Sequence, residues 1–549
     1  MHRSSRRAVV AVLVAVLVVA VAVLSGPWRT GRGGGPASGA ARPPMTQTGT
    51  PAASDTTVGV PPVAFYDARD HRMFPGLTSP DRTPFNSPAR PPGFTDPPPG
   101  SGLQRFLDQR LVWHPCGDVD CATVIVPLDW DRPDGQAITL ALTRARATAR
   151  RVGTLFINPG GPGASGTDFV GWFPRADFPA FDVVGWDPRG SGHSTPVRCG
   201  TPAQTDAYFA VDASPDTSGE WRALRNAQQA FARQCRQASG VLLDHISTID
   251  TARDLDYLRY LVGDARLTYL GISYGTFIGA VYAELYPSRV GRMVLDSAVN
   301  STDDQSVIQP MGFDLALRAF ASWCAGQACG LGPTGGAVVG SVTGLFDRLD
   351  AAPLAVGART LTQTLAVSGV ASFLYAGTNG YSALARALLA ARAGSGGALL
   401  AAADQLDGRR ADGSYDPLTY AFPAIGCRDA GDDGWARDSA RWASDARLAP
   451  VFGKYFGPPV SCDVWSARPA DQLDVKAEGA PPIVVLGTTG DPATPYQQSV
   501  GMAAQLASGV LVTWKGAGHS AFMLGNDCVR GTVLRYVNEG VVPRSGTSC

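Results

Sequence analysis

The chain has 549 residues, 45% hydrophobic and 17% charged, with Lys+Arg and Asp+Glu equal at 47 each. That length allows more than one domain, or one large elaborated domain, around a sizeable core. Zero net charge and the absence of a basic tract after the N-terminus argue against nucleic acid as a partner.

Arg3, Arg6 and Arg7 precede an unbroken apolar run from Ala8 to Leu24. Residues 1–25 therefore read as an export signal or a signal anchor. The run is near the lower length limit for a membrane span, which leaves membrane attachment through residues 8–24 open beside cleavage. The expected location is outside the cell, either secreted or anchored at the outer face of the cytoplasmic membrane. Residues 26–100 are dense in Pro, Gly, Ser and Thr and read as a disordered or extended tether.

All ten cysteines follow that tether. An even number in an exported chain implies disulfides, and nearest-neighbour pairing gives Cys116–Cys121, Cys199–Cys235, Cys324–Cys329, Cys427–Cys462 and Cys528–Cys549. A zinc site is the rival, but the sequence has no C-x-x-C and only six histidines, so no metal is expected.

The globular pattern opens with predicted strands at Thr123–Trp130 and Ala137–Arg144. Gly153–Asn158 is a short buried strand that runs into the glycine-rich stretch Pro159–Gly166. No G-K-[ST] follows, so a phosphate cradle is disfavoured. A loop exposing backbone N–H groups to a developing oxyanion fits better, with Gly161 as a donor. Phe181–Trp186 is the next strand. Asp187 and Arg189 after it read as loop stabilisers, and His193 is a candidate base that precedes any nucleophile in the chain. Thr251 is the expected cap of a helix whose apolar face is Leu255, Leu258, Leu261 and Val262.

Leu267–Ile272 is a strand, and Thr276–Tyr286 has helical spacing up to Pro287. Between them Gly271-Ile272-Ser273-Tyr274-Gly275 matches the G-x-S-x-G nucleophile elbow. A serine on a strained turn leaves no room for side chains two positions either side, and the following helix points its positive end at the serine. Arg292–Asp296 is another strand ending in a carboxylate. Residues 301–475 are rich in alanine, with helical periodicity at Asp314–Trp323, Ala337–Leu349 and Tyr381–Ala391. Strands return at Pro482–Gly487, followed by Asp491, and at Val510–Trp514, followed by His519.

The order Ser273, Asp491, His519 is that of the α/β-hydrolases, and each residue closely follows a predicted strand. The expected fold class is thus α/β: a mostly parallel central sheet flanked by helices, with an inserted, mainly helical cap. The core is expected at 101–300 and 476–549 and the cap at 301–475. His519 is expected to take the Ser273 proton while Asp491 holds the imidazole. Asp296 is the rival acid. The N–H groups of Tyr274 and Gly161 are the expected oxyanion donors.

Asn158-Pro159-Gly160-Gly161-Pro162-Gly163, Asp187-Pro188-Arg189-Gly190, Gly271–Thr276, Gly490–Pro495 and Gly518–Ser520 together resemble the secreted tripeptidyl aminopeptidases, relatives of proline iminopeptidase. The likeness runs from about Leu103 to Cys549. It implies a serine exopeptidase that needs no cofactor and releases short peptides from free N-termini. A monomer is expected. Such an enzyme must hold a protonated α-amine. Residues 301–475 contain no glutamate, so Asp429 and Asp463, near the expected Cys427–Cys462 bridge, are the candidates for substrate binding. Two alternatives stand beside this reading. One is a carboxylesterase or lipase-like hydrolase using the same triad. The other is a non-catalytic envelope protein.

Overall fold

A computed structural model describes residues 94–299, 306–430, 434–458 and 462–549, together with short strand segments at 65–67, 72–74 and 83–84. The expected signal at 1–25 and most of the expected tether lie outside the described residues. The continuous fold begins ahead of the expected boundary at 101, because Thr95 N–H donates to Ala137 O (2.9 Å) and Pro98 is buried.

One sheet organises the chain. Its strands are β1 (His114–Cys116), β2 (Val119–Pro127), β3 (Ala137–Ala145), β4 (Gly153–Asn158), β5 (Phe181–Trp186), β6 (Leu267–Ile272), β7 (Val290–Asp296), β8 (Ile483–Gly490), β9 (Gly509–Ala517) and β10 (Thr547–Ser548). They lie in the order β10-β9-β8-β7-β6-β4-β5-β3-β2-β1. From β10 to β5 every pairing is parallel, whereas β5–β3, β3–β2 and β2–β1 are antiparallel. Successive residues face opposite sides. Tyr269, Leu295 and Val485 belong to one apolar cluster, and Leu270, Val294 and Val484 to the cluster on the other face. Burial on both faces explains why the central strands read as continuous apolar runs.

Helices α1 (Pro202–Phe209), α2 (Ser218–Ser239), α3 (Thr248–Leu261) and α4 (Tyr274–Leu285) precede β7. The start of α3 lies one turn before the expected Thr251. Ser247 is the cap, accepting from Asp250 N–H (3.1 Å). Thr251 and Asp254 are inside the helix, and Asp254 is fully buried against Arg189 (2.7 Å) and Trp130 Nε1 (2.9 Å).

Between β7 and β8 lie α5 (Gln309–Gly326), α6 (Gly335–Ala351), α7 (Gln363–Tyr375), α8 (Tyr381–Arg392), α9 (Gly397–Asp407), α10 (Pro417–Asp429) and α11 (Trp435–Leu448). A hairpin of Leu354–Val356 and Arg359–Leu361 joins them. These helices build an apolar cluster of their own, centred on Phe313, Phe320, Phe346, Leu374 and Leu388. The cysteines are joined as Cys116–Cys121, Cys199–Cys235, Cys324–Cys329, Cys427–Cys462 and Cys528–Cys549. Among the described residues no helix is long and apolar enough to cross a membrane.

Candidate active site

The parallel register sets the site. Ile272 lies beside Asp296, and Asp296 beside Leu486. The segments after β4, β6, β8 and β9 therefore leave from one edge of the sheet, at its carboxyl ends. They carry the glycine-rich loop, Ser273, Asp491 and His519.

Ser273 has φ 56° and ψ −126°, a strained conformation for a residue with a side chain. Its neighbours must be small. A Cβ on Gly271 would fall 2.4 Å from Gly275 O, and one on Gly275 would fall 2.8 Å from Asn158 O. Helix α4 starts at Tyr274 with no side-chain cap, so its first-turn N–H groups and its positive end lie beside the serine. The glycine-rich loop packs directly on this turn. Asn158 Oδ1 accepts from Gly160 N–H (2.9 Å), and a Cβ on Gly160 would meet Tyr274 N at 2.8 Å and Ser273 Cβ at 3.0 Å.

His519 and Asp491 are buried, and Nδ1 of the imidazole is 2.8 and 3.0 Å from the two Asp491 oxygens. Asp491 also accepts from Ala493 N–H (2.9 Å), Thr494 N–H (3.0 Å) and Thr494 Oγ1 (3.1 Å). With Nδ1–H given to Asp491, Nε2 is left as the acceptor. That atom is buried and has no hydrogen-bond partner.

Asp296, the rival acid, has different partners. Its carboxylate accepts from Ser520 Oγ (2.5 Å), Ala521 N–H (2.9 Å) and Phe522 N–H (3.0 Å), while its carbonyl accepts from Ser273 N–H (2.9 Å). It ties the serine turn to the chain just after His519. His193, the rival base, is partly exposed with its ring 3.3 Å from Asp168. Asp187 holds the loops around it through Ser165, Thr167 and His193 N–H. Arg189 is fully buried in its ion pair with Asp254.

The two aspartates expected to meet a substrate amine already have protein partners. Asp463 faces Arg225 in a two-point ion pair (Nη1 to Oδ1 2.7 Å). Asp429 is buried and accepts from Thr248 N–H (2.8 Å), Thr248 Oγ1 (2.7 Å) and the Tyr274 hydroxyl. Tyr375 at the end of α7 also meets the imidazole: its carbonyl accepts from His519 N–H (3.0 Å) and its ring stands edge-on to it. Nothing in its local sequence distinguishes it from a core tyrosine.

Residues 449–549 match the family model described as TAP-like protein. The serine protease Hip1 of Mycobacterium tuberculosis is 37% identical over 478 residues, covering 81% of this chain and 91% of the relative. Carboxylesterase B of the same organism is 38% identical over 452 residues, covering 78% and 86%. The tripeptidyl aminopeptidase of Streptomyces lividans is 31% identical over 470 residues, covering 80% and 86%.

Proposed function

Because the chain belongs to the tripeptidyl aminopeptidase-like family of α/β-hydrolases and is a serine hydrolase, we propose that it is an exported serine exopeptidase acting on peptides with free N-termini. Short peptides, tripeptides foremost, are the product. Ser273 Oγ attacks the scissile carbonyl as His519 Nε2 takes its proton. Asp491 keeps Nδ1 protonated and stabilises the imidazolium. The N–H groups of Tyr274 and Gly161 receive the oxyanion, each worth on the order of 3 kcal/mol in the transition state. Collapse breaks the C–N bond, and His519 returns the proton to the leaving amine. Water activated by the same imidazole then attacks the acyl-enzyme and releases the peptide.

The observation that carries this reading is the buried His519, with Nδ1 on Asp491 and Nε2 unengaged, at the same sheet edge as the strained Ser273 turn. The disulfides among the described residues suit an oxidising compartment outside the cytoplasm. An ester-cleaving enzyme is the second reading, favoured by the likeness to carboxylesterase B. Esters and amides share the acyl-enzyme route.

A fluorophosphonate probe is expected to label the full chain and to fail on Ser273→Ala. Side-by-side hydrolysis of tripeptide anilides and short-chain nitrophenyl esters is expected to favour the anilides. Labelling of the alanine variant would remove Ser273 as nucleophile. Turnover of esters alone would replace the peptidase by the esterase.

A further inference from the structure

Helix α10 touches both expected halves of the oxyanion pair. At its N-terminal end Leu418 Cδ1 lies 3.1 Å from where a Cβ on Gly161 would sit, and Ala421 Cβ lies 2.6 Å from the corresponding position on Gly163. At its C-terminal end Asp429 accepts from the Tyr274 hydroxyl. Thr248, at the start of α3, completes this cluster: its hydroxyl is 3.0 Å from the Tyr274 oxygen, and it gives both of its donors to Asp429. All three side chains are buried. The end of α10 is itself pinned. Cys427 is joined to Cys462, Gln472 Nε2 donates to Asp429 O (2.6 Å), and Arg428 Nε donates to Asp244 O (3.0 Å).

We propose that α10 clamps the oxyanion donors from the cap side, and that Asp429 is a positioning residue that fixes the Tyr274 N–H through the Tyr274 side chain. The proposal rests on Ser273 being the nucleophile. An oxyanion donor acts only if it sits about 2.7–3.1 Å from the developing charge. Tyr274 opens α4 with no side-chain cap, and beside the Asp296 carbonyl on Ser273 N–H its ring is the handle by which the cap side reaches that N–H. Burial pushes the tyrosine hydroxyl well above its ordinary range, so it remains a donor at neutral pH. Burial also raises Asp429, to about 6, against the pull of Tyr274 and Thr248, which leaves it mainly ionised at pH 7.

Asp429 also lines a small cleft with Thr248, Phe277, Asp471 and Gln472. A substrate amine seated there is the competing role, and kinetics separates the two. Tyr274→Phe, Asp429→Ala, Asp429→Asn and the Tyr274→Phe/Asp429→Ala pair are assayed on a nitrophenyl ester, a free tripeptide anilide and its N-acetylated form. A positioning role predicts that each of Tyr274→Phe and Asp429→Ala lowers kcat about tenfold on the ester and the free anilide alike, with the acetylated form as the amine-recognition control, a fraction of the roughly 10²–10³ lost with a whole donor. KM should move little, and affinity for a peptide boronic acid should fall by a similar factor. The double variant should be no worse than the worse single one, since both act through one bond. Asp429→Asn, which keeps an acceptor for Tyr274, should recover most of kcat.

Tyr274→Phe removes one hydroxyl, so it carries the test should Asp429→Ala fail to fold. Full kcat in Tyr274→Phe overturns the proposal. So does a loss in Asp429→Ala confined to KM for the free-amine substrate, which would make Asp429 an amine anchor. Undiminished ester turnover by Ser273→Ala would instead overturn the nucleophile assignment beneath it.

Discussion

Asp296 and Asp491 end adjacent strands and look alike in the sequence, yet their donors differ. Asp491 accepts from the imidazole and from the turn that follows it, whereas Asp296 accepts from Ser520, Ala521 and Phe522 rather than from the imidazole. Replacing Asp491 by Asn presents an amide where Nδ1–H needs an acceptor and favours the wrong tautomer, so kcat should fall about 10⁴-fold with KM preserved. Asp296→Asn leaves the His519–Asp491 pair intact but weakens the acceptor that ties the serine turn to Ser520 and its neighbours. It should cost about tenfold in kcat and lower the melting temperature, as weakening a buried acceptor does. Ester turnover measured on both variants, together with their thermal midpoints, checks the assignment. A larger kcat loss in Asp296→Asn than in Asp491→Asn would exchange the two roles.

At the scale of elements, the serine turn and the glycine-rich loop behave as one unit. Their contact leaves no room for a methyl group: a Cβ on Gly160 would fall 2.5 Å from Ile272 O and 2.8 Å from Tyr274 N. Gly160 also has φ 95°, which an alanine resists. Gly160→Ala should therefore push the loop off the turn and lower kcat by roughly 10² or more, the cost of losing one oxyanion donor. The thermal midpoint should fall as well, because Gly160 is buried and the clash is with backbone. Retained kcat would mean that the loop gives way without moving its donors. This turn was readable from sequence because G-x-S-x-G states a steric requirement. β4 and β5 were readable to the residue because a strand buried on both faces is a short apolar run with sharp ends. Much of the cap was not. Pro423 stands inside α10 and argues locally against a helix, and Gly396 and Gly397 mark the start of α9 where a loop would be read. Packing against neighbouring helices overrides those local preferences.

For the whole molecule, the cap is more than a cover laid over a finished site. Tyr375 O holds His519 N–H, Gln309 Nε2 holds Ala493 O (3.0 Å) beside Asp491, and Leu418 abuts the glycine-rich loop, so three segments of the cap each meet a different loop of the core. Sequence order disclosed the core, since each functional loop follows a strand. It could not disclose these cap contacts, because backbone carbonyls and core leucines leave no pattern in a sequence. The same cap carries a measurable electrostatic burden in Asp407. Its carboxylate oxygens are buried without a hydrogen bond, and burial, reinforced by Asp404, raises it to about 8 against Arg359 and the nearby Ser368 hydroxyl. An unfolded aspartate titrates near ~3.9. Between about pH 4 and pH 8 the folded chain thus holds a proton that the unfolded chain has released, and stability falls as pH rises through that window. Asp407→Asn cannot titrate and escapes the penalty. Its melting temperature should match the parent near pH 4 and exceed it by on the order of 10 °C at pH 8, taking about 5 kcal/mol of linkage and roughly 2 °C per kcal/mol for a large chain. Thermal unfolding of both proteins across that range gives a difference curve. A difference that stays flat from pH 4 to pH 8 would mean that Asp407 is ionised and compensated in the fold, and that the pH dependence arises elsewhere.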